Sequence, residues 1–371
     1  MGFRHLHRAP FVNYQLNRLV SLGHADGDEL ARTTRGVRRF ATLADILQAL
    51  SEDAEGGGQT AAAMAYARGA EFFTDPTTDL RRDRYLRYRN LFDVVHAERP
   101  LTRVEIPFGE GFLPAYRLAA RGTARGVVLL HGGFDSVIEE FFAIWERIAF
   151  AGYTVLAFEG PGQGGARLLH GLTFDHDWEH PVAAVLDHFD VNEATLIGLS
   201  MGGYWALRAA GREPRITRVV SWPPVYDWLH QLSPWLRGVV AAMLRFRSAM
   251  NLGIRFRMKL FPVLEHAVRH AQYLCGGREP MDAVDWMLGM NADHLSSGRV
   301  TQDVLVMSGD NDAFQPPRLA DLQIAALTRA RRVQRRRFTA AEHAGSHCQM
   351  GNLDLACHVL THWLDMGEVL E

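Results

Sequence analysis

The chain has 371 residues, of which 47% are apolar and 22% are charged, a composition typical of a globular protein with one large domain or two. The formal net charge of −2 disfavours a general nucleic-acid binder, although two arginine runs, residues 81–89 and 329–337, look basic when taken alone. We interpret both runs as solvated helix faces. Three cysteines without a C-x-x-C spacing predict neither a disulfide framework nor a thiolate zinc site, and they fit a reducing compartment.

The N-terminal residues lack the continuous apolar core of a signal peptide, and no stretch approaches the roughly 18 apolar residues that span a bilayer. We therefore expect a cytoplasmic protein with neither a membrane partner nor a nucleic-acid partner.

Helical patterns dominate the first part of the chain and predict a helical N-terminal region over residues 1–98. Segments 104–108 and 113–119 flank turn residues and predict a β-hairpin. Short apolar strands then alternate with amphipathic helices. The strands are expected at 126–130, 153–158, 194–199, 216–221, 304–308 and 336–340, and the helices at 139–151, 178–189, 201–210, 317–328 and 347–366. This alternation predicts an α/β fold with a mostly parallel central sheet and helices on both faces, formed by residues 99–221 and 299–371.

One long segment, residues 222–298, interrupts the alternation and is rich in Trp, Met, Phe and Arg at helical spacing. An insertion there lies over the carboxyl ends of the strands, where open α/β sheets place their ligands. We interpret it as a helical lid. Its apolar side chains fit substrate contact or the inner face of a small helical subdomain.

The pentapeptide Gly-Leu-Ser-Met-Gly at 198–202 has the form G-x-S-x-G and lies between an expected strand and an expected helix. This context is typical of a nucleophile elbow, in which Gly198 and Gly202 allow a serine on a sharp turn. Ser200 is therefore the candidate nucleophile, with the positive end of the following helix beneath it. The alternative is a glycine-rich turn that carries a solvated serine.

An activated serine needs a base and an orienting acid, which on sheets of this kind follow in the order Ser, Asp or Glu, His. The strand at 304–308 runs into a polar turn where Asp312 is the predicted acid and Asp310 the fallback. The loop after 336–340 holds two histidines. His347 is the predicted base because it opens the final helix after a flexible Gly-Ser, while His343 is the alternative and better suited to shaping the loop.

Two backbone N–H groups must stabilise the oxyanion, one after the nucleophile and one from the loop after an earlier strand. That loop reads His-Gly-Gly-Phe at 131–134, so the N–H of Phe134, or of Gly133, is predicted to face the N–H of Met201. No metal is expected, because His343 and His347 do not form a helical H-E-x-x-H motif. The acidic and histidine residues at 175–180 are explained more simply by helix N-terminal capping.

These motifs together resemble the α/β-hydrolase family. The supporting stretches are 132–136, 139–140, 159–164, 177–179, 198–203 and 347–348, and the resemblance covers residues 100–371. More narrowly, the chain resembles the subgroup that contains dihydroxypseudooxynicotine hydrolase, the fungal pigment-pathway hydrolases that shorten a polyketide, and the fermentation-respiration-switch esterase-like proteins. The helical N-terminal region matches the layout of that subgroup less specifically.

The resemblance implies a serine hydrolase without metal or organic cofactor that cleaves a carbon–carbon (ketone) or ester bond of a small, partly aromatic metabolite. Secondary metabolism is the setting it suggests, and it also implies a homodimer. The lid-side candidates for substrate contact are Trp222, Tyr226 and Asp227, with a helix N-cap as the simpler role for Asp227. The alternatives are a peptidase or an acyltransferase on the same triad, and an inactive hydrolase fold that binds small ligands.

Overall fold

The computed structural model describes residues 2–370, which include one eight-stranded sheet. The strands are β1 (Leu101–Phe108), β2 (Gly111–Leu118), β3 (Val127–His131), β4 (Thr154–Phe158), β5 (Ala194–Leu199), β6 (Ile216–Trp222), β7 (Asp303–Gly309) and β8 (Arg332–Phe338). Their order across the sheet is β1-β2-β4-β3-β5-β6-β7-β8. The hairpin strands β1 and β2 are antiparallel to their neighbours, and the remaining six strands are parallel. The predicted α/β fold is confirmed.

The six parallel strands end at one edge of the sheet. His131 at the end of β3 lies opposite Gly198 of β5, and Leu199 lies opposite Trp222 at the end of β6. The loops that follow these strands are therefore brought together, as in other open α/β sheets.

Five α-helices of the described chain precede the sheet. They are α1 (Pro10–Leu22), α2 (Gly27–Thr33), α3 (Phe40–Gly56), α4 (Thr60–Phe73) and α5 (Asp79–Val95). Fully buried leucines, among them Leu16, Leu43 and Leu47, give these helices an apolar core of their own. The arginine run at 81–89 is not simply a solvated face, because the buried Arg81 donates to Glu71 Oε1 at 2.7 Å from within α5.

Helices cover both faces of the sheet. Those that follow the early parallel strands are α6 (Phe142–Phe150), α7 (Gly164–Leu168), α8 (Glu179–His188) and α9 (Gly202–Ala210). Val128 and Leu130 of β3 belong to the apolar cluster that contains Trp145 of α6, whereas Leu129 belongs to the cluster that contains Trp205 of α9. Successive residues of a strand point to opposite faces, so this division places helices on both sides.

The segment between β6 and β7, residues 223–302, is mainly helical. Its α-helices are α10 (Pro234–Leu244), α11 (Arg247–Leu260), α12 (Pro262–Cys275), α13 (Pro280–Gly289) and α14 (Ala292–Leu295). Leu274 of α12 and Trp286 of α13 are buried in the apolar cluster of the sheet. By contrast, α10 and α11 contain no buried residue. Within the described part of the chain, no helix combines the length and apolar character needed to cross a membrane.

The C-terminal elements differ from the sequence predictions at two points. The second arginine run lies mostly in β8, an edge strand that begins at Arg332 rather than at 336, so its interpretation as a helix face was wrong. A charged edge strand discourages pairing with other chains. After α15 (Pro317–Ala326) the chain ends in α16 (Leu353–Met366), which begins six residues beyond the predicted start at 347.

Candidate active site

Ser200 lies on the sharp turn between β5 and α9. Its φ of +58° is in the left-handed region, as expected of a nucleophile elbow. A Cβ atom on Gly198 would lie 2.0 Å from the carbonyl oxygen of Gly202, and a Cβ on Gly202 would lie 2.5 Å from the carbonyl oxygen of Gly132. Both positions therefore require glycine. The Ser200 N–H donates to the Trp222 carbonyl at 2.6 Å, which fixes the turn against β6.

Three predicted residues, Ser200, Asp312 and His347, form one hydrogen-bonded chain. His347 Nε2 lies 2.9 Å from Ser200 Oγ, and its Nδ1 lies 2.7 Å from Asp312 Oδ2. The other carboxylate oxygen of Asp312 accepts from the backbone N–H groups of Phe314 and Gln315 at 2.9 and 2.8 Å. The acid is thus held by its own loop, and the imidazole is oriented toward the serine hydroxyl.

The electrostatics of His347 are dominated by two opposing effects. Burial lowers its pKa, but the charge of Asp312, the charge of Cys348 and the hydrogen bonds from both residues raise the pKa by more in total. As a result the pKa of His347 lies well above its ordinary value. A raised pKa makes the imidazole a stronger base for the serine proton.

The predicted base, His347, lies in a tight turn rather than in a helix. His347–Gln349 form a 3₁₀ turn in which Cys348 and Gln349 have φ values of +49° and +53°. The prediction that His347 opens the final helix was therefore wrong. Tyr14 of α1 supports the turn by donating its hydroxyl to the His347 carbonyl at 3.2 Å.

The two fallback residues lie outside this chain of hydrogen bonds. His343 is exposed and forms the left-handed end of the 3₁₀ turn Ala340–Glu342, which suits its loop-shaping alternative. Asp310 is half-buried, and one of its carboxylate oxygens has no hydrogen-bond partner among the described residues. The carboxylate that contacts His347 belongs to Asp312.

The predicted oxyanion amides have different environments. The Gly133 N–H donates to Ser136 Oγ at 2.8 Å, so it is engaged within its own loop, and the alternative donor Gly133 is disfavoured. The Phe134 N–H has no acceptor among the described residues. A Cβ on Gly133 would lie 2.8 Å from the Ser200 Cβ and 2.9 Å from the Met201 nitrogen. The His-Gly-Gly-Phe loop therefore approaches Ser200 closely, as the predicted oxyanion loop must.

Sequence reasoning missed Gln315, whose side-chain amide fills the space beside Met201. In the orientation that satisfies both ends, Gln315 Oε1 accepts from the Met201 N–H at 3.0 Å and Nε2 donates to the Pro223 carbonyl at 3.1 Å. Its only sequence signal is its position three residues after Asp312. One candidate oxyanion donor is thus occupied by a side chain in this structure.

Residues from three helices hold the predicted oxyanion loop, residues 131–134, and the adjoining Asp135. His270 of α12 lies 3.0 Å from the Phe134 carbonyl through Nε2, and Arg68 of α4 donates to the Asp135 carbonyl at 2.8 Å. The Asp135 carboxylate accepts from Arg18 of α1 at 3.0 Å. Burial raises the pKa of Asp135, but Arg18, His270 and Arg68 together outweigh burial, and the pKa falls to about 2. The loop conformation therefore depends on the N-terminal helices.

Ser200 opens into a cavity of about 160 Å³. Aromatic side chains supply much of its apolar wall, namely Tyr14, Phe134, Phe141, Trp228 and Phe314. Gln15 and Arg18 of α1 add polar groups. The walls thus come from the N-terminal helices and the segment after β6 as well as from the sheet.

The three predicted substrate contacts do not line this cavity. Trp222 is fully buried and donates its indole N–H to Gln349, and the partly buried ring of Tyr226 lies against His230. Asp227 accepts from the Leu229 N–H at 2.9 Å and from the Ala292 N–H at 3.1 Å. The structure thus does not bring these three side chains to the cavity beside Ser200. The chain bends at Pro223, and the residue of this segment that lines the cavity is Trp228. For Asp227 the simpler capping-type role fits.

The acidic cluster at 175–180 was explained at the sequence level by capping. Asp175, Asp177 and His180 place ligand atoms within 4.8 Å of one another. However, α8 has no side-chain cap, so the capping explanation was wrong. Asp177 instead pairs with Arg208 and with His294, which ties the start of α8 to α9 and α14.

A model of the alpha/beta hydrolase family matches residues 127–355, more than half of the chain. The chain therefore belongs to the alpha/beta hydrolase family.

Individual relatives sharpen this assignment. Hydrolyase poxO of Penicillium oxalicum is 30% identical over 265 residues, which cover 59% of this chain and 62% of that relative. The match thus spans less than two thirds of the relative's length. The 20-hydroxy-prefusarin hydrolase FUS2 of Gibberella moniliformis is 26% identical, with 96% of both chains covered. The crystal structure of 2,6-dihydroxy-pseudo-oxynicotine hydrolase shares the fold, with a TM-score of 0.66 at 19% identity over 95% of this chain and 97% of its own.

Proposed function

We propose that this hydrolase uses Ser200, His347 and Asp312 as a catalytic triad to cleave a carbon–carbon (ketone) or ester bond of a small, partly aromatic metabolite. The observation that carries the proposal is the hydrogen-bonded chain from Ser200 Oγ through both nitrogens of His347 to Asp312. Such a chain lets a neutral imidazole take the serine proton while the carboxylate stabilises the imidazolium that forms.

The reaction begins when Ser200 Oγ attacks the substrate carbonyl and His347 accepts its proton. The oxyanion forms between the N–H groups of Phe134 and Met201 once Gln315 Oε1 leaves the latter. The intermediate collapses and expels either an alkoxide or a carbanion, which takes the proton from His347. Water activated by His347 then hydrolyses the acyl-enzyme and regenerates Ser200.

A carbanion leaving group constrains the substrate. Carbon–carbon cleavage requires a substrate that delocalises the negative charge, as an aryl ketone or a β-diketone does, whereas an ester needs no such group. The five aromatic side chains of the cavity wall support a partly aromatic substrate. The relative FUS2 is named for a prefusarin substrate and the structural neighbour for an oxynicotine, which supports a small-molecule substrate here.

A fluorophosphonate probe tests the nucleophile. Wild-type protein should be labelled at Ser200, and Ser200→Ala should abolish labelling and turnover while substrate binding persists, because the cavity remains. Absence of labelling in the wild type would favour the alternative of a fold that only binds small ligands.

A substrate panel then separates the enzymatic alternatives. Aryl β-diketones, aryl esters and aminoacyl amides are assayed side by side, and turnover of the first or second group is expected. Turnover of the amides alone would identify a peptidase, and product formation that depends on an added alcohol would identify an acyltransferase.

The other finer expectations stay predictions. They are the homodimer, the cytoplasmic location, a role in secondary metabolism, the lid function of residues 222–298 and the division of the chain at residues 98, 221 and 298. The lid role can be tested with an engineered disulfide that restrains residues 222–298 against the core. If the segment is a lid, the disulfide should slow turnover of large substrates more than turnover of small ones.

A further inference from the structure

Two neighbouring helices of the segment after β6 expose an unusual amount of apolar surface. Of the fifteen large hydrophobic side chains that are exposed among the described residues, nine lie between residues 235 and 263. Trp235, Val239 and Met243 recur every four residues on α10, and Leu252, Phe256 and Leu260 do so on α11. Residues four apart lie on one helix face. We call these six residues the outer face.

The outer face of α11 is distinct from the face that packs on the protein. Ile254 and Met258 are partly buried against the apolar cluster of the sheet, and Asn251 accepts a hydrogen bond from the Met281 N–H at 2.8 Å. The helix is therefore anchored on one side while Leu252, Phe256 and Leu260 remain 72%, 63% and 58% exposed on the other. Apolar patches of this kind mark interaction surfaces.

The charge of these helices selects the kind of partner. Residues 234–264 contain six basic residues and no acidic one. Arg247 and Arg255 pair with Asp285 and Glu279 from the neighbouring part of the segment. Arg245, Arg257 and Lys259 are exposed, and no carboxylate of the described chain lies within 4.0 Å of them. At 100° per residue, Arg255 and Lys259 fall to one side of the α11 outer face and Arg257 to the other.

We propose that the outer face binds an anionic lipid surface. An amphipathic helix with an apolar face flanked by cations lies in the plane of the bilayer interface, with its apolar side chains at the acyl boundary and its cations at the headgroups. The cytoplasmic leaflet carries the negative potential that attracts such cations. The expectation of no membrane partner rests on the lack of a segment long enough to span a bilayer. The proposed contact needs no such segment, because the 14 residues of α11 lie along the bilayer surface.

A second copy of the chain fits the same face less well. A twofold contact sets a surface against itself, so the cations of one outer face would meet those of the other. Neither α10 nor α11 carries an acid to pair with them. Lipid headgroups supply that negative charge.

The test is co-sedimentation of the full-length protein with sucrose-loaded vesicles of phosphatidylcholine, with and without phosphatidylserine. Wild type should sediment with the phosphatidylserine vesicles and bind pure phosphatidylcholine about tenfold more weakly. The triple variant Leu252→Ser, Phe256→Ser, Leu260→Ser should bind at least about tenfold more weakly than wild type. A second triple variant carries Arg245→Gln, Arg257→Gln and Lys259→Gln. It should lose only the part of the vesicle binding that depends on phosphatidylserine, and high salt should have the same effect on the wild type.

A matched control removes apolar surface elsewhere. Phe112 and Phe150 are 40% and 50% exposed, and Phe112→Ser, Phe150→Ser should bind vesicles as the wild type does. All variants should keep the wild-type circular dichroism spectrum, because the changed side chains are solvent-exposed. Ser200→Ala should also bind vesicles normally, so the lipid test stands whatever becomes of the triad.

Two results would overturn the proposal. One is wild-type protein that stays in the supernatant with both kinds of vesicle. The other is a dimer in sedimentation equilibrium that the α11 triple variant dissociates while vesicle binding is absent, which would assign the outer face to a second copy.

Discussion

The cavity around Ser200 has two kinds of wall, which are built in different ways. On one side, the loops at the strand ends carry Ser200, Asp312 and His347, and local backbone geometry fixes the first two of these residues. Ser200 sits at a φ of +58°, and Asp312 accepts two N–H groups of its own loop. On the other side, Tyr14, Arg18 and Trp228 come from helices and connections outside the sheet. The arrangement of the predicted reacting groups therefore depends mainly on local geometry, whereas the wall depends on how distant segments pack.

The helical side does more than enclose the cavity. Tyr14 donates to the His347 carbonyl, and Arg18 and Arg68 bind the carboxylate and the carbonyl of Asp135 in the oxyanion loop. These contacts join the N-terminal helices to the groups proposed to react. Substitutions on the strand-end side should therefore act on kcat, and substitutions on the helical side should act mostly on KM or on inhibitor affinity.

The largest effect is expected from the two histidines of the last loop. His347→Ala should lower kcat by at least about 10⁵-fold, because the serine loses its base. His343→Ala, its matched control, should stay within about twofold, since His343 is exposed on a turn. Steady-state hydrolysis of an aryl ester measures both. If His343→Ala abolishes turnover and His347→Ala does not, the base assignment is wrong.

The acid should produce the next largest effect and leave a signature in the pH profile. A base must be neutral to act, so activity falls as the pH drops below its pKa. Since Asp312 holds the pKa of His347 well above the ordinary value, the acid limb of kcat/KM should lie above about 6.5. Asp312→Asn should lower kcat about 10³- to 10⁴-fold and move that limb to lower pH.

Asp310→Asn serves as the control for the acid, because Asp310 lies in the same turn without contacting His347. This variant should keep the acid limb of the kcat/KM profile at the wild-type pH, and its kcat should fall by no more than a few-fold. The reverse pattern would make Asp310 the orienting acid.

The strand-end side was largely predictable from the sequence, because each of its signals is local. The pentapeptide at 198–202, the polar turn with Asp312 and the loop with His347 each follow an apolar strand, and the structure brings the three side chains together. Their catalytic role stays a prediction. The start of α16 was predicted too early, because the sequence from residue 347 has a helical pattern. In the structure, Cys348 and Gln349 adopt left-handed conformations that a helix does not allow.

The helical side was predicted poorly, for a physical reason. Trp222, Tyr226 and Trp228 are close in sequence and all aromatic, and only the turn after Pro223 decides that Trp228 alone lines the cavity. Tertiary packing also places Arg81, from the arginine run at 81–89, in a buried ion pair with Glu71. A run of arginines or a cluster of aromatic residues has no sequence periodicity that tells a buried side chain from an exposed one or from one that lines a cavity.

Trp228 should show the effect of the wall. It is half-buried in the cavity lining, and its indole N–H has no acceptor among the described residues. Trp228→Ala should raise KM about tenfold for a bulky aryl ester, through lost apolar contact, and leave kcat for a small acetyl ester nearly unchanged. Tyr226→Ala is the matched control and should leave both constants near wild type. An equal loss of kcat on both esters would mean that Trp228 supports the reacting groups instead.

Gln315 lies where the two walls meet and should give the smallest effect. Its Oε1 accepts the Met201 N–H that the proposed oxyanion needs, so a ligand with a tetrahedral oxyanion must displace it. Gln315→Ala removes this competitor, and one hydrogen bond of about 1 kcal/mol corresponds to about fivefold. An arylboronic acid, which forms a tetrahedral adduct with the serine, should therefore bind about fivefold more tightly to the variant. Gln315→Glu should bind it more weakly than wild type, because a carboxylate holds the amide more strongly and repels the negative adduct. The opposite result would be that the boronic acid binds Gln315→Ala more weakly than wild type. The side chain would then support the oxyanion site through its hydrogen bond to the Pro223 carbonyl, and its competition for the Met201 N–H would matter less.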